Sequence, residues 1–411
     1  MRIKTLLTSF FLSLLLSGSI IVTRYSVIAI ECGDQLPNDE AQLKEYIDSC
    51  QAKISDLKGQ QATLAAAIDY FTTQINLTRA QINSTQQQLQ QLKLEIEDLS
   101  SKIDSLDLSL TDLSRIFVAR VRQAYIRSLT NLPLYYFLIS PNLSQALSQY
   151  KYLRTLQKHD QQILINLEKS RLDFNHQKQL KELKQAKIQS LQAQLQRQQQ
   201  TLAQQKSAKN KLLQDTKNSE VRYRQLLDAA QKQLAAFSHF VTLRGGASIL
   251  HNQTQCSDWG CYYNQRDADW GYLGIGLSDS SMAEYGCLVT SMAMIASHYH
   301  KNLTPKDIAS SSIPFWANTA YMLQGTWTVN GVTMTRTRVG YGLNVLDSEL
   351  SRGKPVIVGL YRGPDHFIVV KRKEGNDYII NDPFIKNGSD LKFTSQYPLT
   401  AINVIDRVSA Y

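Results

Sequence analysis

Glu284-Tyr285-Gly286-Cys287-Leu288-Val289-Thr290-Ser291-Met292-Ala293-Met294-Ile295 decides how the C-terminal part of the chain is read. Apolar residues from Leu288 to Ile295 recur at helical spacing, and Gly286 gives a tight entry, so the stretch predicts a buried helix with Cys287 in its first turn. A helix N-terminus favours the thiolate, the nucleophilic form of cysteine. Such a nucleophile needs a proton acceptor within reach.

His366, in Gly363-Pro364-Asp365-His366-Phe367-Ile368-Val369-Val370, stands at the head of an apolar strand, and Asp382 closes Ile379-Ile380-Asn381-Asp382 before Pro383. Two strands joined by a turn at Glu374-Gly375-Asn376-Asp377 would bring His366 and Asp382 together, so that the acid orients the imidazole. Upstream, Gln265 in Tyr263-Asn264-Gln265-Arg266-Asp267 can offer its side-chain amide to an oxyanion beside the Cys287 N–H. Taken singly, these are a core cysteine, a strand-end histidine, an Asp-Pro turn and a solvated glutamine. Their order along one chain, with an unpaired thiol, points to catalysis.

The segment from Gln265 to about Asp406 resembles the bacteriocin-processing double-glycine cysteine peptidases, specifically their stand-alone branch in the papain-like clan. The shared elements are Asn-Gln-x-Asp-x-x-Trp from Asn264, Gly-Cys-x-x-Thr-Ser-x-Ala-Met from Gly286, Leu303-Thr304-Pro305, Gly353-Lys354-Pro355, Asp365-His366-Phe367 and Asn381-Asp382-Pro383. The resemblance implies Cys287 as nucleophile, His366 as base, Asp382 as orienting acid and Gln265 as oxyanion donor. It also implies a papain-like α+β domain over 244–411, with the Cys287 helix on an antiparallel sheet. Strands are expected near Val356–Leu360, Phe367–Lys371, Tyr378–Asn381 and Ala401–Val404. Leu288 departs from the pattern, since a small or polar residue commonly follows Gly-Cys. No nucleotide loop or ATPase follows, which argues against a bacteriocin exporter.

Arg244-Gly245-Gly246 ends a very different pattern on the N-terminal side. Apolar residues step by four and three from Leu43 through Ile54, Leu64, Ile75, Leu89, Leu99 and Leu110 to Phe117, interrupted only by Gln61, Thr78 and Thr85. A second run passes from Leu153 through Ile163, Leu191 and Leu212 to Leu226, with Gln177, Lys181, Lys184 and Lys209 at seam positions. Two sustained heptad arms of similar length predict an all-α antiparallel coiled-coil hairpin over 38–243, with its tip near 121–143. The apolar run from Leu129 to Ile139 at that tip is read either as a hydrophobic knot or as a docking surface for a membrane partner.

This half resembles the coiled-coil region of EnvC/PcsB-type murein hydrolase activators, on Arg120, Arg122, Tyr125, Tyr150, Tyr152, Leu153 and the leader that precedes the arms. The resemblance implies a role in cell division and docking on an FtsEX-like membrane complex through the tip.

The leader has a basic start (Arg2, Lys4), an apolar run from Leu6 to Val22 and Val27-Ile28-Ala29 before a cut, which reads as a signal peptide over 1–29. An uncleaved anchor stays open as the alternative. Glu31 stands where a lipoprotein would want a small residue before Cys32. Either way the expected location is extracytoplasmic, secreted or held at the envelope, with 30–37 as a short N-terminal segment.

Five cysteines in an oxidising compartment suggest two bridges and one free thiol. Cys256 and Cys261 can staple a short turn, Cys32 can reach Cys50 by folding back along a helix, and Cys287 is left free; Cys50 as a plain seam residue remains the alternative. No His or second Cys pair has zinc-ligand spacing, so no metal or other cofactor is expected.

The chain of 411 residues has 19% charged residues, 19 Gly and 9 Pro, which excludes collagen-like and disordered classes. Basic and acidic residues balance over 246–411, so the whole excess of +10 lies in the N-terminal half. It is scattered along a Gln-rich helix surface with no block of like charge, a pattern that does not support nucleic-acid binding. Attraction to anionic wall polymers stays open.

Together these features describe an exported cysteine hydrolase acting on peptide or amide bonds of the bacterial envelope, with peptidoglycan peptides as the expected substrate. A non-catalytic peptide-binding or hydrolase-activating module is the competing reading. A wall hydrolase left permanently active would endanger its own cell, so the hairpin or the Phe237–Leu250 segment is expected to restrain access to Cys287.

Overall fold

The computed structural model describes residues 31–33, 35–130 and 140–411. The leader at 1–29 and the apolar tip residues 131–139 lie outside the described residues.

The N-terminal half consists of α1 (Glu40–Leu57), α2 (Leu64–Thr130), α3 (Leu143–Thr216) and α4 (Glu220–Leu243). Asp39 caps α1 by accepting from the backbone N–H groups of Ala41 and Gln42, two of the donors a helix start leaves without partners. The heptad pattern predicts one seam from Leu43 through Leu64, but the chain breaks between 58 and 63, where Gly59 takes φ +90°. Glycine reaches that conformation without steric cost. α1 therefore folds back along α2, with Lys53 paired to Asp69 at 3.1 Å and Gln87 donating to the Asn38 carbonyl at 2.9 Å. A Cys32–Cys50 disulfide ties the preceding segment down. Cys50 is both bridged and buried with Leu43, Tyr46 and Ala80, so the two readings of that residue hold at once.

α2 and α3 pair in opposite directions along their length. Lys209 donates to Thr72 at 2.7 Å, Thr78 to Gln205 at 2.9 Å and Thr85 to Gln198 at 3.1 Å. Farther out, Lys184 meets Glu95 at 2.6 Å and Arg120 meets Asp160 at 2.7 Å. Polar residues that interrupt the apolar seam thus find polar partners on the facing helix, a way of fixing register. With 67 and 74 residues, the two helices extend roughly 100 and 110 Å at 1.5 Å per residue.

The second arm also breaks earlier than its pattern suggests. Lys217 and Asn218 adopt φ of 51° and 56°, and Ser219 starts α4 in a new direction. Tyr223, at a seam position, packs its ring against Trp316 at 5.5 Å and donates its hydroxyl to the Gln61 carbonyl at 2.6 Å. Leu64, Phe71, Leu212 and Tyr223 join Trp316 in one buried cluster, which fixes the base of the long helices to the C-terminal domain.

That domain begins with a hairpin of β1 (Gln255–Ser257) and β2 (Gly260–Tyr262), in which Cys256 faces Cys261 and the two are disulfide-bonded. Then come α5 (Met282–Tyr285), α6 (Cys287–His298), α7 (Pro305–Ala309), β3 (Gly325–Val329), β4 (Val332–Tyr341), α8 (Leu343–Leu350), β5 (Val356–Leu360), β6 (His366–Glu374), β7 (Asp377–Asn381), β8 (Leu391–Lys392) and β9 (Ile402–Ala410). β3 to β9 form one antiparallel sheet in the order β3-β4-β9-β5-β6-β7-β8. Strand alternation divides its apolar residues between two cores. Ile357, Phe367, Val369 and Val408 pack with α6, while Val358, Ile368, Val370 and Ile380 pack with Leu346 of α8. The four expected strands are present as β5, β6, β7 and β9. The β3–β4 hairpin and β8 were not foreseen.

Candidate active site

Cys287 is the first residue of α6, behind Gly286. A Cβ on Gly286 would lie 2.4 Å from the Met282 carbonyl oxygen, so only glycine lets α5 run this tightly into α6. From Leu288 to Ala296 α6 is buried, and Ser291 reaches the Phe367 carbonyl at 3.3 Å, docking the helix on β6 one residue from His366. Cys287 is the free cysteine among the described residues.

His366 opens β6, and Asp382 follows the end of β7. The β6–β7 turn at Glu374–Asp377 and a register shift between Val370 and Arg372 bring the two together. His366 Nε2 lies 2.8 Å from Asp382 Oδ1, which leaves Nδ1 as the ring nitrogen available to the Cys287 sulfur. Asp382 is fully enclosed, and its oxygens are held from several sides. Oδ1 accepts the Phe384 N–H at 2.8 Å, and Oδ2 accepts the Tyr397 hydroxyl at 2.6 Å. Asp365, adjacent to His366 in sequence, is not the partner, and burial pushes its carboxyl up from the ordinary range.

Electrostatics follow from this packing. Burial acts to lower the His366 pKa, but the Asp382 charge, the hydrogen bond to it and the Cys287 sulfur outweigh burial and raise the imidazole to about 9. Burial pushes Asp382 up, yet the His366 charge and the hydrogen bonds from His366, Tyr397 and Phe384 hold it below its usual value.

Gln265 is buried on the same side. Its backbone N–H donates to the Pro383 carbonyl at 2.7 Å, tying its loop to that of Asp382. Its side-chain amide donates to the Ala283 carbonyl at 2.8 Å, four residues before Cys287, and its Oε1 has no partner. One amide hydrogen is left over from that bond.

The site is closed. Cys287 and His366 are 2% and 1% exposed, and α4 packs against the His366 side of the site. Phe240 stacks on the imidazole, Phe237 meets Phe367 edge-on at 5.9 Å, and Ser238 donates to Glu284 at 2.7 Å. Gln233 donates to the Pro364 carbonyl. Burying two phenylalanines contributes roughly 2–3 kcal/mol each, so the apolar contacts dominate the closure.

Tyr397 has no signal in the sequence, and Phe240 lies within the Phe237–Leu250 segment expected to restrain Cys287 without being marked as the residue that meets His366. Tyr397 follows a 3₁₀ turn with no periodic signal, and Phe240 sits in a helix whose pattern assigns it to the second arm.

Among the described residues, no group of three or more His, Cys, Asp or Glu is placed to hold a metal ion, and no helix is long and apolar enough to cross a membrane. Residues 261–400 match the model of the Peptidase_C39 like family, a span that contains Gln265, Cys287, His366 and Asp382. No curated protein and no solved structure matches the chain. The match supports a C39-like peptidase domain in the C-terminal part of the chain, which suggests a cysteine peptidase.

Proposed function

We propose that the protein is an exported cysteine hydrolase that cleaves a peptide or amide bond in the bacterial envelope, with peptidoglycan peptides as substrate. The observation that carries this reading is the His366–Asp382 contact at 2.8 Å beside a free Cys287 at a helix start, inside a peptidase-family segment. Cys287 attacks the carbonyl carbon, His366 gives its proton to the leaving amine, and water then hydrolyses the thioester with His366 as base. Gln265 and the Cys287 N–H bear the oxyanion. Two disulfides support an extracytoplasmic setting.

In this account the long helices regulate and target the enzyme. α4 keeps it latent by covering His366, and docking of the hairpin end on an FtsEX-like membrane complex during cell division relieves the cover. Exposed Val118, Val121, Leu143, Leu147 and Tyr152 near that end support a docking role. Release requires that the partner bind the open state more tightly than the closed one. The test is turnover of purified peptidoglycan and of peptide libraries by the chain opened with F240A, with and without C287A. Cleavage lost in C287A supports the assignment, and cleavage retained refutes it.

The closed cleft favours a second reading, a non-catalytic scaffold that presents the peptidase fold to a partner. Thiol labelling separates the two: reaction of Cys287 that depends on His366 supports the enzyme, and labelling indifferent to H366Q supports the scaffold.

A further inference from the structure

Along β4, Val332, Met334, Arg336 and Arg338 alternate onto the sheet face that α6 covers. The first two join the α6 core, and the stripe then changes from apolar residues to two guanidinium groups. Arg336 is 3% exposed; its Nη1 lies 2.5 Å from Asp406 Oδ2 and its Nη2 donates to the Met322 carbonyl at 2.7 Å. Its Nε, also buried, has no acceptor. Arg338 donates to the other oxygen of Asp406 at 3.1 Å, and its side chain keeps 32% exposure. Gln324 completes the cluster by accepting the Arg338 N–H at 2.7 Å. Two cations face one carboxylate, so the cluster retains a positive charge. Packing does not call for it, since replacing buried ion clusters by apolar residues is often neutral or stabilising.

The two arginines line a cavity of about 60 Å³. Its other walls include Tyr285 and Leu288, on either side of Cys287, Phe367 beside His366, and Phe237 from α4. A small charged group fits this space, and a guanidinium pair is matched to a planar anion.

We infer that this cavity is a substrate subsite for a carboxylate, so that the enzyme prefers peptides bearing an acidic side chain or a free terminal carboxylate next to the bond it cuts. The inference rests on the cysteine-hydrolase reading. α4 closes the subsite together with the nucleophile, so both open in one movement.

The test uses the full chain and two reagents that alkylate Cys287, anionic iodoacetate and neutral iodoacetamide. Both wait for the same opening, so the ratio of their rates reports the charge beside the sulfur. The ratio should fall roughly 10-fold in R338Q, in line with loss of a charged hydrogen bond, and recover in part in R338K, which also guards against a folding defect. An unchanged ratio in R338Q, with Cys287 still labelled, overturns the subsite and leaves the hydrolase standing. Cys287 that neither reagent labels in any variant overturns the hydrolase reading and the subsite with it. Protection against labelling then identifies the source of the carboxylate: a C-terminally amidated Glu peptide protects if a side chain is read, and a Gln peptide with a free C-terminus protects if the terminus is read. Protection by neither contradicts the inference.

Discussion

Phe240 of α4 stacks on the imidazole of His366, with ring centroids 4.2 Å apart and planes 7° from parallel. A residue from the helical half therefore covers one face of the ring. Truncation at Gly246 would strip Phe237, Phe240 and Val241 from two cores, so point substitutions in the whole chain are the cleaner probe.

Replacing Phe240 with alanine should open the site. Cys287 labelling by iodoacetamide is expected to rise, roughly 5- to 150-fold for a coupling of about 1–3 kcal/mol. The same change should lower the melting temperature, because a large buried side chain is lost. Faster unfolding without faster labelling under native conditions would argue against a covering role.

Stability should depend on pH through His366 and Asp382. With the imidazole raised from 6.5 to about 9, the stabilisation it brings is complete below its ordinary pKa and is lost as pH rises through about 9. Asp382, held low, contributes above its ordinary pKa and loses that contribution as pH falls through its lowered folded value. Denaturant midpoints compared near pH 6 and pH 10 should converge for H366Q, which lacks the titrating ring. An alkaline loss of the same size in H366Q would assign it to another group.

Tyr397→Phe removes the hydroxyl that donates to Asp382 Oδ2 and leaves a buried carboxylate oxygen short of a donor. The expected cost is about 1–3 kcal/mol in chemical denaturation. Turnover should fall too, through a less firmly oriented His366, with kcat affected more than KM. A change in stability with kcat intact would make Tyr397 purely structural.

Substituting both Cys32 and Cys50 with serine should release the segment before α1. The bridge closes a loop with a sequence separation of 18, for which the chain-entropy estimate is about 3 kcal/mol. Hydrogen exchange in α1 should accelerate while α6 stays protected. Equal protection of α1 in both proteins would show that packing on Leu43 and Tyr46 suffices.

The site was more legible than its surroundings. Cys287, His366 and Asp382 could be placed because a helix start and a tight hairpin are local patterns, and the chain order brought them together. The paired helices were legible from their seam, although the seam hid both breaks: heptad spacing continues through Gly59 and through Lys217–Asn218, where backbone conformation and not side-chain polarity ends the helix. The Phe240–His366 stack and the Arg336–Asp406 pair were illegible because each joins residues far apart in sequence, and Tyr397 because it follows an irregular 3₁₀ turn. In β4, alternating Thr and Arg reads as a solvated strand unless the position of α6 over it is known.

The most direct test is cleavage of isolated peptidoglycan peptides by F240A, with and without the further change C287A, followed by mass spectrometry of the products. The account predicts cleavage by F240A above that of the native chain, and none by the double variant. Cleavage that survives in the double variant would contradict it.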